Sequence, residues 1–300
     1  MEKLDFKKLE INDSHIIKKY LKNEEYNSIS EYTFTNLFIW QNVRVIQFAE
    51  HNDGLILLAT EKVKKYFLPP LGYGRQGLIT AYLLDYGSHH KMTNFIKRAP
   101  LEFINRIDMN QFEKKEDRNN YDYIYLAEDL ALLPGRKFSN KRSFIKKFKL
   151  NYDFEYLDYD PTMQSECIEL AERWFARKND DKQRCDECNA IKTFLNHYEH
   201  FDAPGKVLRI NNKVVAFAFG EELNPDTYVI HFEKADTEFI GIYQTINQLF
   251  AQDVLNKGYK FINREQDLGI EGIRKAKNSY HPVKMGEKYN IYQKGIFNEN

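Results

Sequence analysis

His231 and Glu233 stand two residues apart at the end of an apolar run, Asp226 to Glu233, that the spacing predicts as a strand. Alternate residues of a strand face the same side, so the imidazole and the carboxylate share a face, where Glu233 could serve as a base. The same alternation also describes a solvated sheet edge. Asn263, Glu265 and Asp267 follow a second predicted strand, Tyr259 to Asn263, in a loop that ends at Gly269. Carboxylates in that loop could orient a cationic amine or take its proton; equally, Glu265 or Asp267 could cap the helix that starts near Ile270 or pair with Arg274. Arg274 itself, with Lys275 and Lys277, has the donors to hold a phosphate or carboxylate, or stands exposed. Tyr280 and His281, just before Pro282, offer an acid for a leaving group or a ring for packing.

A second pattern is electrostatic. Arg136, Lys137, Lys141, Arg142, Lys146, Lys147 and Lys149 crowd one stretch, and Arg142, Lys146 and Lys149 fall on one helical face beside Phe144, Ile145 and Phe148. Two readings fit: a solvated basic face over a buried apolar stripe, or contact with the phosphate of an RNA acceptor stem, an anionic lipid or a nucleotide. Cys185-x-x-Cys188 with His197 and His200 sketches a metal site, but the Cys188 to His197 gap is short for a zinc finger and its residues read as ordinary helix, so no metal is expected. No Ser/His/Asp order, P-loop or GxGxxG after a strand is present, which leaves hydrolase, NTPase and dinucleotide readings without support.

These groups must be held by a sizeable fold. The chain has 300 residues, 42% of them apolar and 15% aromatic, enough for two packed domains. Lys plus Arg equal Asp plus Glu at 44 each, so any polyanion site is a local patch. The amino terminus opens into mixed charge, no apolar run approaches a membrane span, and three cysteines suit a reducing compartment; a cytoplasmic location is the expectation.

In the first half the pattern predicts a helix over 13–23, a hairpin of strands 43–48 and 55–59 turned by Asp53-Gly54, a strand at 65–68 and a helix over 76–86. A Tyr-rich strand, 119–126, leads to a junction at Leu133-Pro134-Gly135-Arg136 and a basic helix to about Leu150. Beyond it the order reads strand, two helices, three strands, helix, strand, helix and a last strand, Lys288 to Gln293. The expectation is an α/β (α+β) chain with two domains, 1–130 and 131–300, the second carrying the site.

Three peptides carry a family resemblance: Phe34-Thr35-Asn36-Leu37-Phe38-Ile39-Trp40, the stretch Leu133 to Arg142, and Asn263-Arg264-Glu265-Gln266-Asp267-Leu268-Gly269 through Gly272 to Pro282. Together they resemble the phosphatidylglycerol lysyltransferase carboxy-terminal domain family, which is related to Fem-type enzymes. The resemblance implies tandem GNAT-type acyltransferase domains with mixed sheets flanked by helices. It also implies aminoacyl-tRNA as donor, a small-molecule or lipid acceptor, no tightly bound cofactor, and possible peripheral membrane contact.

In a GNAT domain that uses acyl-CoA, the loop before the long helix reads Gln/Arg-x-x-Gly-x-Gly/Ala, because its N–H groups bind pyrophosphate. The matching residues here are Glu238-Phe239-Ile240-Gly241-Ile242-Tyr243. Gly241 alone fits, as a ligand contact or as a helix cap, while Glu238 brings the wrong charge and Tyr243 a ring where a small residue is needed. Acyl-CoA is therefore the alternative donor, and a GNAT-like binding protein without turnover is the alternative from another class.

Overall fold

Two-residue turns set the sheets. Strands Arg44–His51 and Gly54–Glu61 pair antiparallel with His51 opposite Gly54, so Asn52 and Asp53 alone make the turn, at φ of 47° and 63°. The sequence pointed to an Asp-Gly step; the positive φ instead falls on Asn52 and Asp53, whose short polar side chains tolerate the left-handed region. Gly54 is required for space, since a Cβ there would lie 2.3 Å from the ring of Tyr73. Asn211 and Asn212, at φ of 50° and 61°, turn Gly205–Ile210 into Lys213–Asn224 in the same way.

The computed structural model describes residues 3–22, 28–93, 95–177 and 181–294, with side chains for all of these except 181–185. Contacts divide the chain into two units. One takes the chain up to Asp122, Gln266–Glu271 and the segment from Met285; the other takes Tyr123–Glu265 and Gly272–Lys284. The first unit's sheet runs Lys7–Lys8, Arg44–His51, Gly54–Glu61, Lys64–Phe67, Phe95–Pro100, Lys288–Gln293, Phe112–Glu116. The second runs Lys284–Gly286, Asp122–Leu126, Phe261–Asn263, Thr227–Ala235, Lys213–Asn224, Gly205–Ile210, Glu155–Asp158. In each sheet a meander of three antiparallel strands is followed by one parallel neighbour.

Two strands fall outside the expected halves. Lys288–Gln293, read as the end of the second half, pairs in the first sheet between Phe95–Pro100 and Phe112–Glu116. Asp122–Leu126 leaves the first half and pairs with Phe261–Asn263. Without them Phe95–Pro100 and Phe261–Asn263 would each present an unpaired backbone edge next to buried residues, which a folded chain avoids. Phe95–Pro100 and Phe112–Glu116 were not legible as strands. The latter, Phe-Glu-Lys-Lys-Glu, is an edge strand whose charges discourage further pairing and erase the apolar alternation that would reveal it.

The first unit is pinned by a buried ionic cluster. Lys288 Nζ donates to Glu31 Oε2 at 2.6 Å and to Asp122 Oδ1 at 2.7 Å, all three side chains being wholly buried. Asp122 also accepts from the Ser30 backbone at 2.7 Å and from Gln266 Nε2 at 2.9 Å, and Arg98 reaches Glu31 at 3.0 Å. Burial alone would raise the Glu31 carboxyl, but Lys288, Arg98 and Arg44 pull it down to about 2.

In the second unit, helix Ile242–Asn256 lies between the sheet and helix Ser139–Asn151. Gly241 starts it at φ 92°, and a Cβ there would fall 2.2 Å from the Phe144 carbonyl oxygen. Among the described residues no helix is long and apolar enough to cross a membrane.

Two substitutions test these joints. Lys288→Met strands Glu31 and Asp122 in the core and should lower stability by about 3–5 kcal/mol, read as a shift of the urea midpoint. Gly241→Ala meets both an unfavourable φ and a backbone oxygen, and a loss of roughly 2 kcal/mol or more is expected from the same titration.

Candidate active site

The parallel neighbours Thr227–Ala235 and Phe261–Asn263 pair over only three residues, Thr227 with Phe261 to Val229 with Asn263. Past that point the second strand bonds the other way: Arg264 N–H donates to the Tyr123 carbonyl at 2.9 Å, and Tyr123 N–H to the Glu265 carbonyl at 3.1 Å. The ladder between the two strands ends at Val229, while the first continues to Ala235. The opening between them is spanned by side chains.

Two ion pairs cross it, His231 with Glu265 and Glu233 with Arg264. His231 donates from Nδ1 to Glu265 Oε1 at 2.9 Å and from Nε2 to Glu221 Oε1 at 2.8 Å. Both partners are carboxylates, which only accept when ionised, so the ring acts as a doubly protonated imidazolium. Burial alone would lower the imidazole pKa; the bonds and charges of Glu221 and Glu265 reverse this and raise it to about 9. Two residues on, Glu233 Oε1 accepts from Arg264 Nη2 at 3.0 Å, and Glu233 Oε2 accepts from Asn247 Nδ2 at 3.0 Å.

Local backbone aims these groups. Asn263 is wholly buried and its Oδ1 accepts from the Glu265 N–H at 2.8 Å, closing a turn that puts Glu265 at φ 54°. Lys277 Nζ donates to the carbonyls of Arg264 and Glu265, fixing the same turn from helix Glu271–Asn278. The Arg264 guanidinium lies 5.1 Å from the Tyr280 ring and 5.8 Å from the Tyr125 ring. Burial disfavours that cation, and Glu233 more than restores it. Burial also pushes the Tyr280 hydroxyl well above its ordinary range, so it stays a proton donor at neutral pH. Lys141 donates to Ser279 Oγ at 2.7 Å and sits 3.9 Å over the Tyr280 ring, its pKa lowered by burial and by Arg264.

The structure thus gathers His231, Glu233, Asn263, Glu265, Tyr280 and Lys141 in the second unit. Asp267 is engaged elsewhere: it belongs to the first unit, is wholly buried, pairs with Arg118 at 3.3 Å and accepts from the Gly269 N–H at 2.7 Å. Arg274 lies half-buried on helix Glu271–Asn278. Of the basic stretch, Lys137 pairs with Asp129 at 2.9 Å, and Arg142 donates to the carbonyls of Leu133 and Gly135. Arg136 and Lys146 are exposed, and Arg142, Lys146 and Lys149 rim a groove of about 320 Å³ with Ile145, Leu150 and Gln248. The Cys185 side chain lies outside the described residues, and His197 Nδ1 donates to the Thr193 carbonyl at 2.9 Å.

Glu221, Asn247, Arg264 and Tyr125 were given no role from sequence. For Glu221 a signal existed, a carboxylate ending the apolar run Val214 to Gly220, but only the fold shows that His231 receives it.

The family described as phosphatidylglycerol lysyltransferase, C-terminal, matches residues 24–292. No curated protein matches the chain. Among solved structures, a conserved protein of unknown function from Bacteroides thetaiotaomicron is 33% identical, with 97% of this chain and 100% of that chain covered and a TM-score of 0.89. L-PGS from Bacillus licheniformis is 16% identical over 94% of this chain and 92% of its own, with a TM-score of 0.68. FemX is 9% identical over 96% and 97%, with a TM-score of 0.60, a likeness of fold. A match over nearly the whole chain, on two mixed sheets each with a short parallel pair, bears out the resemblance read from the peptides: the chain belongs to the phosphatidylglycerol lysyltransferase C-terminal family and folds as tandem GNAT-like units.

Proposed function

We propose that this chain is an aminoacyltransferase that moves the aminoacyl group of an aminoacyl-tRNA onto an amine or hydroxyl of a small-molecule or lipid acceptor, at the second unit's strand opening. Family and fold support an acyltransferase of the lysyl-phosphatidylglycerol synthase or Fem type. The donor is argued from one observation, the packing at Gly241. An acyl-CoA pyrophosphate needs free space and free N–H groups at the start of the long helix. Here the Phe144 backbone lies against Gly241, the Ile242 N–H is bonded to the Phe239 carbonyl, and Glu238 is held beside the turn by Arg177 at 2.7 Å. The residues do not fit acyl-CoA, and an ester presented by RNA makes no demand on that turn.

In the proposed reaction the acceptor nitrogen or oxygen attacks the ester carbonyl carbon. The new C–N or C–O bond forms as the ester C–O bond to the ribose breaks. Glu233, oriented by Arg264 and Asn247, takes the proton from the attacking atom, and the Tyr280 hydroxyl returns one to the departing ribose oxygen. Arg264 places positive charge beside the carbonyl where negative charge develops. The Glu221–His231–Glu265 triad fixes the loop that carries Arg264. Asp267 keeps a structural part.

Incubation with a charged tRNA pool should give labelled product, and labelled acyl-CoA should give none. Glu233→Gln should slow transfer by about 100-fold or more with the fold intact by circular dichroism. Product from acyl-CoA alone would establish the CoA reading, and no product from either donor the binding-protein reading.

The triad makes a separate prediction. Its folded-state pKa of about 9 exceeds the ordinary histidine value, so its stabilising contribution is complete below about 6.5 and is lost as pH rises through 9. The stability difference between wild type and His231→Gln should therefore shrink by a few kcal/mol, on the order of 3, between pH 6.5 and 9.5 in urea titrations. A difference independent of pH would show a neutral ring.

A further inference from the structure

In the first unit Arg44 is 4% exposed, and among the described residues no carboxylate forms an ion pair with it. Its Nη2 donates to the Oδ1 of Asn36, also buried, at 3.1 Å, while its Nε is buried with no hydrogen-bond partner. Buried charges are ordinarily paired and buried N–H groups ordinarily bonded, so Arg44 departs from both rules. Arg98 repeats the second departure: Nη1 donates to Glu31 at 3.0 Å, and Nε is bare. The two guanidinium groups lie close enough to repel each other, and both feel Tyr66.

The sum of charges selects no sign here. The cations of the cluster are Arg44, Lys97, Arg98 and Lys288, and the carboxylates Glu31, Glu61, Asp117 and Asp122 match them in number. Their distribution is uneven. Lys288 bonds Glu31 and Asp122, and Arg98 bonds the other Glu31 oxygen. Glu61 lies 4.0 Å from Lys97 and accepts from the Tyr66 hydroxyl at 3.4 Å, and Asp117 accepts from Asn120 at 2.8 Å. Arg44 is left facing an amide oxygen. Burial, and after it the Arg98 charge, lower the Arg44 pKa, and Glu31 and Tyr66 do not restore it. Burial likewise lowers Lys97 by more than Glu61 recovers. Water could bond the bare N–H groups but would leave that charge uncompensated, whereas an anion does both. The side chains of Arg98 and Lys97 keep 17% and 26% of their surface, so the cluster meets solvent on their side.

We infer that the first unit holds a site for one compact monovalent anion, a halide ion or a single carboxylate group, bound by the Nε–H groups of Arg44 and Arg98 with the Tyr66 hydroxyl beside it. Lys97 stands at its entrance. The inference goes beyond the aminoacyltransferase reading and does not rest on it, since every residue of the site belongs to the other unit.

The test follows urea unfolding of the whole chain at neutral pH and constant sodium concentration while gluconate, too bulky for the site, is replaced by chloride or by acetate. The midpoint should rise and then saturate, as specific binding to the folded state requires. Saturation at lower chloride marks a halide site, and at lower acetate a carboxylate site. Arg98→Lys keeps the charge but removes the Nε donor and should need about tenfold more of the same anion. Arg44→Gln should abolish the saturating response. Should that variant fail to fold, wild-type crystals soaked in bromide or acetate read the site directly, with the anion expected within hydrogen-bond distance of both Nε atoms. A response that does not saturate, or one that Arg98→Lys leaves unchanged, would overturn the site. Ordered water alone between the two arginines would do the same, as would an anion bound at crystal concentration only, with no saturating effect in solution.

Discussion

A strand can be a full partner on one side and a partial one on the other, and the second unit turns on that constraint. Phe261–Asn263 and the two residues after it bond to the strand Asp122–Leu126, while the bond ladder with Thr227–Ala235 stops after three residues. Backbone left unpaired in an interior must be served by side chains, and charged side chains in such a place must be paired. Asn263 and Lys277 serve the backbone just after Phe261–Asn263, and Glu233 with Arg264 and His231 with its two carboxylates satisfy the second demand. The residues proposed to act on substrate are thus among those that span the opening between the strands.

The first unit meets the same demand with a more deeply buried cluster. Its parallel neighbours meet at a single registered pair, Phe67 with Ile96, and a bulge with Arg98 at φ 61° turns that side chain onto Glu31. There Lys288, Glu31 and Asp122 are wholly buried and bonded to one another. In the second unit the Glu233 and Arg264 side chains keep 10% and 16% of their surface, and Asn247 keeps a bare oxygen. The two units thus bury their paired charges to different depths, and each keeps a buried polar atom without a partner, Arg44 Nε and Arg98 Nε in the first and Asn247 Oδ1 in the second.

Much of this was legible in the chain because it depends on local pattern. Helix Ile242–Asn256 and the hairpins follow from periodicities of 3.6 and 2. What could not be read depends on which strand lies beside which. Nothing local in Asp122–Leu126 or Lys288–Gln293 says that each completes a sheet built mainly from the other half of the sequence. Because that was hidden, Asp267 passed for a neighbour of Glu265, two residues away, although the chain leaves one unit for the other between them. Glu221, ten residues from His231, was missed for the same reason.

Gly241 shows how a residue can keep its family position and change its reason for being there. Glycine at this point of a GNAT domain that uses acyl-CoA allows a phosphate to approach the backbone. In this chain the close approach is made by the protein's own Phe144 carbonyl, and the φ of 92° keeps the residue a glycine. The basic helix is thereby packed against the spot where a pyrophosphate would sit, its Ile145 and Phe148 turned inward and its Lys146 and Lys149 outward. Positive charge stands beside that turn on a solvent-facing helix. A backbone turn reads one compact phosphate group, whereas a row of long, flexible cations matches an extended polyanion, the geometry on which the proposed RNA-borne donor would draw.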